Sequence, residues 1–412
     1  MREIKDSGVE WLGCMPTDYD TASIGSLFTI KKDIIGHEPE TVLSITQTGV
    51  KPKDLTSNEG QNASSYANYQ IVNIGDFAMN HMDLLTGWID ISKYEGVTSP
   101  DYRVFTLDDK EMCAEYFLRV FQHYYTNKVF FGFGQGVATL GRWRLPAINF
   151  KRIDVPVPPI EEQQKIVCAI DESVGKIEKL KENVQTQIEK LKAYKQSLIT
   201  EVVTKGLDAT VPMKDSGVDW IGKIAENYRI MRLKNVADIL DQFRKPITAD
   251  MRSQEGDVLY DYYGASGVID KIDGYTIDDH VMLIGEDGAN LRMRNLPLMY
   301  EVNGKAWINN HAHILKPKEN VLFHYIFYAL EGLDINPYIT GSAQPKLNQE
   351  NLKVINIPIP PIEVQKEVVE FIREKHKQVD NLIAIKQSKI EKLEQYKRSL
   401  IFEYVTGKKE VL

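Results

Sequence analysis

Cysteine is scarce. There are three in 412 residues, Cys14, Cys113 and Cys168, and no two stand at CxxC spacing. An odd, sparse set suits reduced thiols rather than a disulfide framework. Long apolar runs are missing too: nothing approaches the ~18–20 uninterrupted apolar residues of a membrane span. The opening MREIKDSG lacks the apolar stretch of a signal peptide, so the expectation is a soluble, cytoplasmic protein with no membrane partner. The third shortage is of positive charge. Lys and Arg number 50 against 58 Asp and Glu, a net of −8. Duplex affinity rests largely on Lys and Arg neutralising phosphates, so this balance argues against a stand-alone DNA binder. Hydrophobic residues make up 43% and charged residues 26%, an ordinary globular composition in a length that suits two or three domains.

Catalytic motifs are also lacking. "FGFGQG" (131–136) has the glycines of a phosphate loop, yet it follows a helix and runs into "VATLGRWRLP", whereas a dinucleotide loop follows a first strand and opens a helix. "INPY" (335–338) lacks the second proline of the adenine-methyltransferase signature and reads as a helix-ending turn. "NNHAH" (309–313) sets His311 and His313 two apart without a third ligand at recognisable spacing. Glu286 and Asp287, followed by Gly288, read as a turn rather than a catalytic pair. There is no phosphate-binding Walker loop, no nucleophile elbow and no nuclease constellation, so the expectation is no catalysis and no metal.

What is present is a repeat. "KDSGVEWLG" at 5–13 returns as "KDSGVDWIG" at 214–222, and residues 155–206 align without a gap to 357–408 at an offset of 202, matching at 23 of 52 positions. Fainter matches precede the second repeat: Leu145, Asn149 and Lys151 recur as Leu347, Asn351 and Lys353. This two-fold duplication divides the chain into a first domain (1–155), a first helix region (156–206), a second domain (207–356) and a second helix region (357–412).

Each helix region opens on a proline brake, Pro156, Pro158 and Pro159 or Pro358, Pro360 and Pro361. Seven-residue spacing then follows: Ile170, Ile177, Val184, Leu191 and Leu198 in the first, Ile372, Val379, Leu393 and Leu400 in the second, with Leu180 and Leu382 three residues on from the row. A sustained heptad with charged flanks predicts a coiled-coil seam. Chain order makes the pair antiparallel, and about 45 residues at ~1.5 Å each span roughly 65 Å. The two domains read as mixed α/β. Strands are predicted at 69–80, 102–107, 267–272, 281–285 and 312–317, and amphipathic helices at 112–125 and 321–333. Their loops gather Arg, Lys, Asn, Gln and Tyr among glycines ("QFRKPI", "YDYYGASG", "GANLRMR" and "GSAQPKLN" in the second domain; "TQTGVKPK", "MNHMDLLTGW" and "GQGVATLGRWR" in the first), the side chains that read base edges and phosphates.

Pro-Pro-Ile-Glu-x-Gln leading a heptad helix that ends in Tyr-Lys-x-Ser-Leu-Ile, at 158–199 and 360–401, resembles the conserved regions of Type I restriction–modification specificity subunits. So does the doubled opening phrase, and "YYGASGVID", "LIGEDGANL", "GKAWINNHAHIL" and "GSAQPKLNQENL" are similar to phrases of their target recognition domains. The resemblance covers nearly the whole chain. It departs at Cys14-Met15-Pro16, where an acidic-Ile-Pro is common, and at "LGRWRLPAINF", which lacks the Gln-Pro-Lys-Leu-Asn form of residues 344–348.

The resemblance implies an α/β protein: two mixed α/β target recognition domains in pseudo-two-fold symmetry, separated by a long antiparallel two-helix coiled coil. It implies a subunit without catalysis that binds a bipartite double-stranded DNA site, one half per domain. The helices would set the spacer and dock two methyltransferase subunits, with two restriction–motor subunits where present. S-adenosylmethionine, ATP and Mg would be used by those partners, and this chain would bind no cofactor. From the chemistry of base edges, the expected DNA contacts in the second domain are Arg244, Lys245, Tyr263, Ser266, Asn290, Arg292, Arg294, Gln344 and Lys346. In the first domain they are Gln47, Lys51, Asn80, Gln135, Arg142 and Arg144. The expected seam is Ile177, Leu180, Val184, Leu191, Leu198, Val379, Leu382, Leu393 and Leu400. The other classes that the sequence leaves open are a coiled-coil protein-interaction scaffold without nucleic acid and an enzyme with unfamiliar motifs.

Overall fold

The computed structural model describes residues 2–55, 63–136, 143–248, 252 and 258–411. The chain divides into two compact units. Unit 1 is Met1–Val184 with Ser388–Leu412, and unit 2 is Gln185–Gln387.

Unit 1 is built on a four-stranded antiparallel sheet of β1 (Phe28–Lys31), β2 (Phe77–Met79), β3 (Ile89–Ile91) and β4 (Arg103–Leu107), in the order β1-β4-β2-β3. The strand expected over 69–80 is two, Gln70–Val72 and Phe77–Met79, because a turn at Ile74-Gly75 separates them. Helix α1 (Ala114–Thr126) covers the sheet. Its Phe117 and Phe121 meet Phe28, Phe77 and Phe105 in a fully buried aromatic core, with Phe28 edge-on to Phe77, Phe105 and Phe117 at 5.4–5.6 Å. Such edge-to-face pairs add about 0.5–1.5 kcal/mol each beyond area burial. Part of the long helix α2 (Ile160–Lys205) closes the unit.

Unit 2 has a six-stranded sheet of β5 (Ala237–Ile239), β6 (Leu259–Gly264), β7 (Gly267–Asp273), β8 (Ile277–Gly285), β9 (Met299–Ile308) and β10 (Ala312–Pro317), ordered β5-β10-β8-β9-β6-β7. All neighbours are antiparallel except β6 and β9. The ten-residue β9 has no counterpart among the predicted strands, since "MYEVNGKAWI" mixes charge and Gly into its alternation. Helix α3 (Phe323–Gly332) buries Tyr325, Ile326, Ala329 and Leu330 against Leu198, Ile199, Val202 and Val203 of α2. Helix α4 (Ile362–Val405) is the second long helix.

Within each unit α2 and α4 run antiparallel. In unit 1 Lys397 Nζ lies 2.6 Å from Glu178 and Lys181 pairs with Glu394; in unit 2 Lys195 lies 2.7 Å from Asp380 and Lys386 donates to Gln187 at 2.6 Å. The seven-residue rows face inward as expected: Ile177, Val184, Leu198, Val379 and Leu400 are buried, and Leu191 and Leu393 half-buried. Leu180 and Leu382 are not in the seam. They are 50% and 46% exposed, because the buried stripe pairs each row with the residue four on, not three on. That second row is Val174, Lys181, Ile188, Lys195 and Val202 in α2 and Val369, His376, Ile383, Ile390, Lys397 and Tyr404 in α4. Lysine stems running along apolar surface with their ammonium groups at the rim make this stripe half-polar, and the sequence pattern points to the wrong flank.

The same clasp fastens the α/β domain to a long helix in each unit. Gln163 and Gln365, the Gln of the proline-led motif, are 0% and 1% exposed. Gln163 donates to Pro158 O (3.0 Å) and accepts from Cys113 N (2.8 Å) at the start of α1. Gln365 donates to Pro360 O (3.0 Å) and accepts from Leu322 N (2.9 Å) at the start of α3. Tyr116 donates to Pro156 O and Val405 O, and Tyr325 to Pro358 O and Val203 O.

Candidate nucleic-acid interface

The doubled opening phrase is a hairpin in each unit. Ile4–Asp6 pairs with Cys14–Pro16, and Met213–Asp215 with Lys223–Ala225. Asp6 and Asp215 accept from the amides of Gly8 and Gly217, and Ser7 and Ser216 accept from Val9 and Val218. Gly8, Gly13, Gly217 and Gly222 all have φ between +66° and +74°, the left-handed region that favours glycine. Each hairpin presents a tryptophan edge-on to an aromatic residue: Trp11 to Phe133 at 5.1 Å, Trp220 to Tyr338 at 5.8 Å. Those aromatics belong to "FGFGQG" and "INPY", so the two segments occupy the same place in their units. The duplicated asparagines fix them there: Asn149 donates to Phe133 O at 2.9 Å and Asn351 to Tyr338 O at 2.8 Å.

Beside these seats each unit sets a basic residue next to a fully buried leucine. In unit 1 Arg144 bridges Gln135, and Leu145 N donates to His81 O at 2.9 Å. In unit 2 Lys346 bridges Thr340, and Leu347 N donates to Glu286 O at 2.7 Å. The leucine carbonyl accepts from a buried cationic or imidazole side chain of the neighbouring strand: Arg103 Nη2 at 2.7 Å on Leu145 O, His313 Nε2 at 2.8 Å on Leu347 O. Register confirms the equivalence, since Arg103 pairs with Met79 at the end of β2 and His313 with Ile284 near the end of β8. The frame is one; its chemistry differs.

Unit 1 is electropositive under the loop. Arg103 is 4% exposed, stacks on Phe150 at 4.6 Å, and its Nη1 has no partner among the described residues. Burial pulls its pKa down to about 10, which leaves it a cation at neutral pH. Burial, with the charges of Arg103 and Arg144, pushes His81 down to about 3, so that ring is neutral. Unit 2 holds carboxylates in the corresponding region. Asp241 accepts from His313 Nδ1 at 2.7 Å and from Gln349, and Arg244 spans Asp241 and Glu286. Lys346 lies 3.1 Å from Glu286. Burial works to raise both carboxyls, but the hydrogen bond and charge of His313 on Asp241, and the bonds from Arg244 and Lys346 on Glu286, hold them below the usual range. His311 pairs separately with Asp287 at 2.7 Å, so the two histidines of "NNHAH" serve different carboxylates.

The structure gathers most of the expected contacts around these loops. In unit 1 exposed Gln47 donates to Thr86 O, and the amide of Leu84 in that loop donates to Trp143 O beside exposed Arg144 and Gln135. Lys51 is exposed on the strand that follows Gln47, and Arg142 lies outside the described residues. Asn80 is half-buried and accepts from Met82 N, holding a turn. In unit 2 Ser266, Arg292, Gln344, Lys346 and Lys245 are exposed, Lys245 over the Trp307 ring at 5.5 Å, and Tyr263 is half-buried on β6. Arg292 also reaches the carbonyls of Ile339 and Gly341.

Three more of the expected contacts bond within the chain. Arg244 is spent inside the carboxylate cluster. Asn290 uses its amide on Leu296 O and Pro297 O and its carbonyl on Leu296 N. Arg294 is half-buried on Glu331 O, with burial lowering its pKa. Asn290 and Arg294 hold loops in shape, because a polar residue beside unpaired backbone groups is drawn to them first. Sequence reading missed Arg103, His81 and Asp241. Nothing distinguishes a charged residue opening a strand that is to be buried, whereas Asn149 and Asn351 were marked by their recurrence.

Among the described residues no helix is long and apolar enough to cross a membrane. Comparison with known proteins places this frame. Residues 225–395 match the family described as Type I restriction modification DNA specificity domain. A putative type I restriction enzyme specificity subunit of Haemophilus influenzae is 35% identical over 140 residues, 34% of this chain, so the chain spans only 35% of that relative's length. The putative MjaX specificity subunit of Methanocaldococcus jannaschii is 23% identical, covering 96% of this chain and 95% of the relative. The fold is shared with a chain from a solved type I R-M system (TM-score 0.67, 14% identity, 95% of this chain and 99% of that one). It is also shared with the HsdS subunit from Thermoanaerobacter tengcongensis (TM-score 0.50, 16% identity, 95% and 98%). With its duplicated helices and its doubled clasp, the chain is similar over nearly its whole length to type I restriction enzyme specificity subunits, and residues 225–395 match that family's DNA specificity domain.

Proposed function

We propose that this chain is the DNA-reading subunit of a Type I restriction–modification complex and has no catalysis of its own. Each unit reads one half of a bipartite double-stranded site. The long helices fix the unspecified spacer and dock two methyltransferase subunits, with restriction–motor subunits joining where the host has them. S-adenosylmethionine, ATP and Mg are used by those partners, in the cytoplasm where the DNA lies.

The observation that carries this reading is the duplicated loop frame. Each copy sets a basic side chain, Arg144 or Lys346, on a loop fixed by the same leucine and the same asparagine. Around that shared frame the residues differ, as two readers of different half-sites require. Exposed Arg, Lys and Gln supply donors for guanine and adenine edges and for phosphates, and each good base contact discriminates by about 1–3 kcal/mol.

Mapping methylated adenines in DNA exposed to the complex tests this. The expected result is two defined stretches at a fixed gap, with Lys346→Ala relaxing one stretch only. Equal loss on every sequence would reassign Lys346 to a phosphate. Absence of any sequence-dependent methylation or protection, with methyltransferase subunits bound, rejects the reading.

A further inference from the structure

We propose that Arg103 and His313 are positioning residues for the reading loops that carry Arg144 and Lys346, and that raising the pH releases the second latch but not the first. The proposal rests on the DNA-reading function above and concerns how each loop is held.

Both side chains do one job, donating to the carbonyl of the residue after the basic one: Arg103 to Leu145 O and His313 to Leu347 O. Both leucines are fully buried, so an unmade bond there leaves a polar group without water, which costs more than the bond itself contributes. The slack would fall on the adjacent side chain, Arg144 or Lys346.

The donors differ in what keeps them donors. A guanidinium carries its N–H groups at any working pH. His313 meets two groups that only accept, the Asp241 carboxylate at Nδ1 (2.7 Å) and the Leu347 carbonyl at Nε2 (2.8 Å). A neutral imidazole has a single N–H, so making both bonds requires the imidazolium. The groups that face it fit a cation: Asp241, and Glu286 at 3.8 Å. Both carboxylates are shared with Arg244, Glu286 also with Lys346, and Asp241 also with the Gln349 amide. Loss of the proton turns one ring nitrogen into an acceptor facing an acceptor. With His313 1% exposed at its side chain, no bulk water replaces the lost donor. In unit 1 no residue of the latch needs to change protonation, since Arg103 is held by Leu145 O and the Phe150 ring.

Amide hydrogen exchange on the full chain, corrected for intrinsic pH dependence and followed from about pH 6 to about pH 9, tests the latches without DNA. Protection at residues 340–347 is expected to fall as pH rises, while protection at 143–145 holds. His313→Arg should keep 340–347 protected throughout, and His313→Gln should leave it loose at both ends. An identical response of the two loops in the wild type, or an unchanged response in His313→Arg, overturns the proposal. In the complex with methyltransferase subunits, discrimination against single-base changes in the unit 2 half-site should drop about tenfold over the same range, with the other half-site unaffected. Equal pH response at both half-sites removes the positioning role. Failure to bind any bipartite DNA rejects the DNA-reading function instead, and the exchange result then decides the latches alone.

Discussion

At the scale of single residues, buried polar groups organise the loops that carry Arg144 and Lys346. Asp241 joins His313, Arg244, Gln349 and the amide of Ile314. Its carboxyl and that of Glu286 are held below their ordinary values, so the folded state binds fewer protons than the unfolded chain in the acidic range. The stability they contribute is therefore present above the unfolded carboxylate values, about 3.9–4.3, and is lost as pH falls through the lower folded values. Asp241→Asn should flatten the acid side of unit 2's thermal melting curve, measured by calorimetry against the wild type. An unchanged acid limb would show that other groups govern it. None of this cluster was legible beforehand. Arg244 stood out as a base reader because it lies in a loop with Lys245, yet one of the carboxylates that claim it, Glu286, lies 42 residues away in sequence.

Among the secondary elements, most was legible where the period was clean. Residues 312–317 form the expected strand and 103–107 nearly so, and both amphipathic helices lie within two residues of their predicted limits at each end. The seam was half legible. Apolar letters at seven-residue spacing marked the inner row, but the second row holds lysines and a histidine, and apolar Leu180, Leu382 and Ile385 face out. Ile177→Ala should cost about 2–5 kcal/mol as a buried truncation, while Leu180→Ser should change stability by less than about 0.5 kcal/mol; denaturant unfolding of both variants checks the pair. The clasp glutamines belong to this scale too. Gln365→Leu removes both partners of two buried backbone groups and should destabilise by about 1–3 kcal/mol per group left unpaired, read as a lowered unfolding midpoint. Their importance was visible only as recurrence at an offset of 202.

Across the whole molecule, negative charge prevails in both domains. Residues 1–155 hold 15 Lys and Arg against 20 Asp and Glu, and residues 207–356 hold 16 against 21, a net of −5 in each case. Two of the basic residues that sequence reading gave to DNA, Arg244 and Lys346, already pair with carboxylates within unit 2. The chain alone should therefore bind DNA weakly, with the partner subunits supplying much of the phosphate contact. Titration of the purified chain at physiological salt checks this, and nanomolar sequence-specific binding would contradict it. Target sequence stays beyond composition, because geometry and DNA shape decide which side chain reaches which base.

The division of the chain into units has a temporal consequence. Unit 2 is one unbroken stretch, 185–387, whereas unit 1 needs residues 388–412 as well as the first 184. Tyr116 waits for Val405 O, and the Leu12 carbonyl for the Lys408 ammonium. Domains fold as their residues leave the ribosome, so the domain begun first is finished last. Until then its aromatic core must be held without one wall, and the later-made unit is whole before the earlier one.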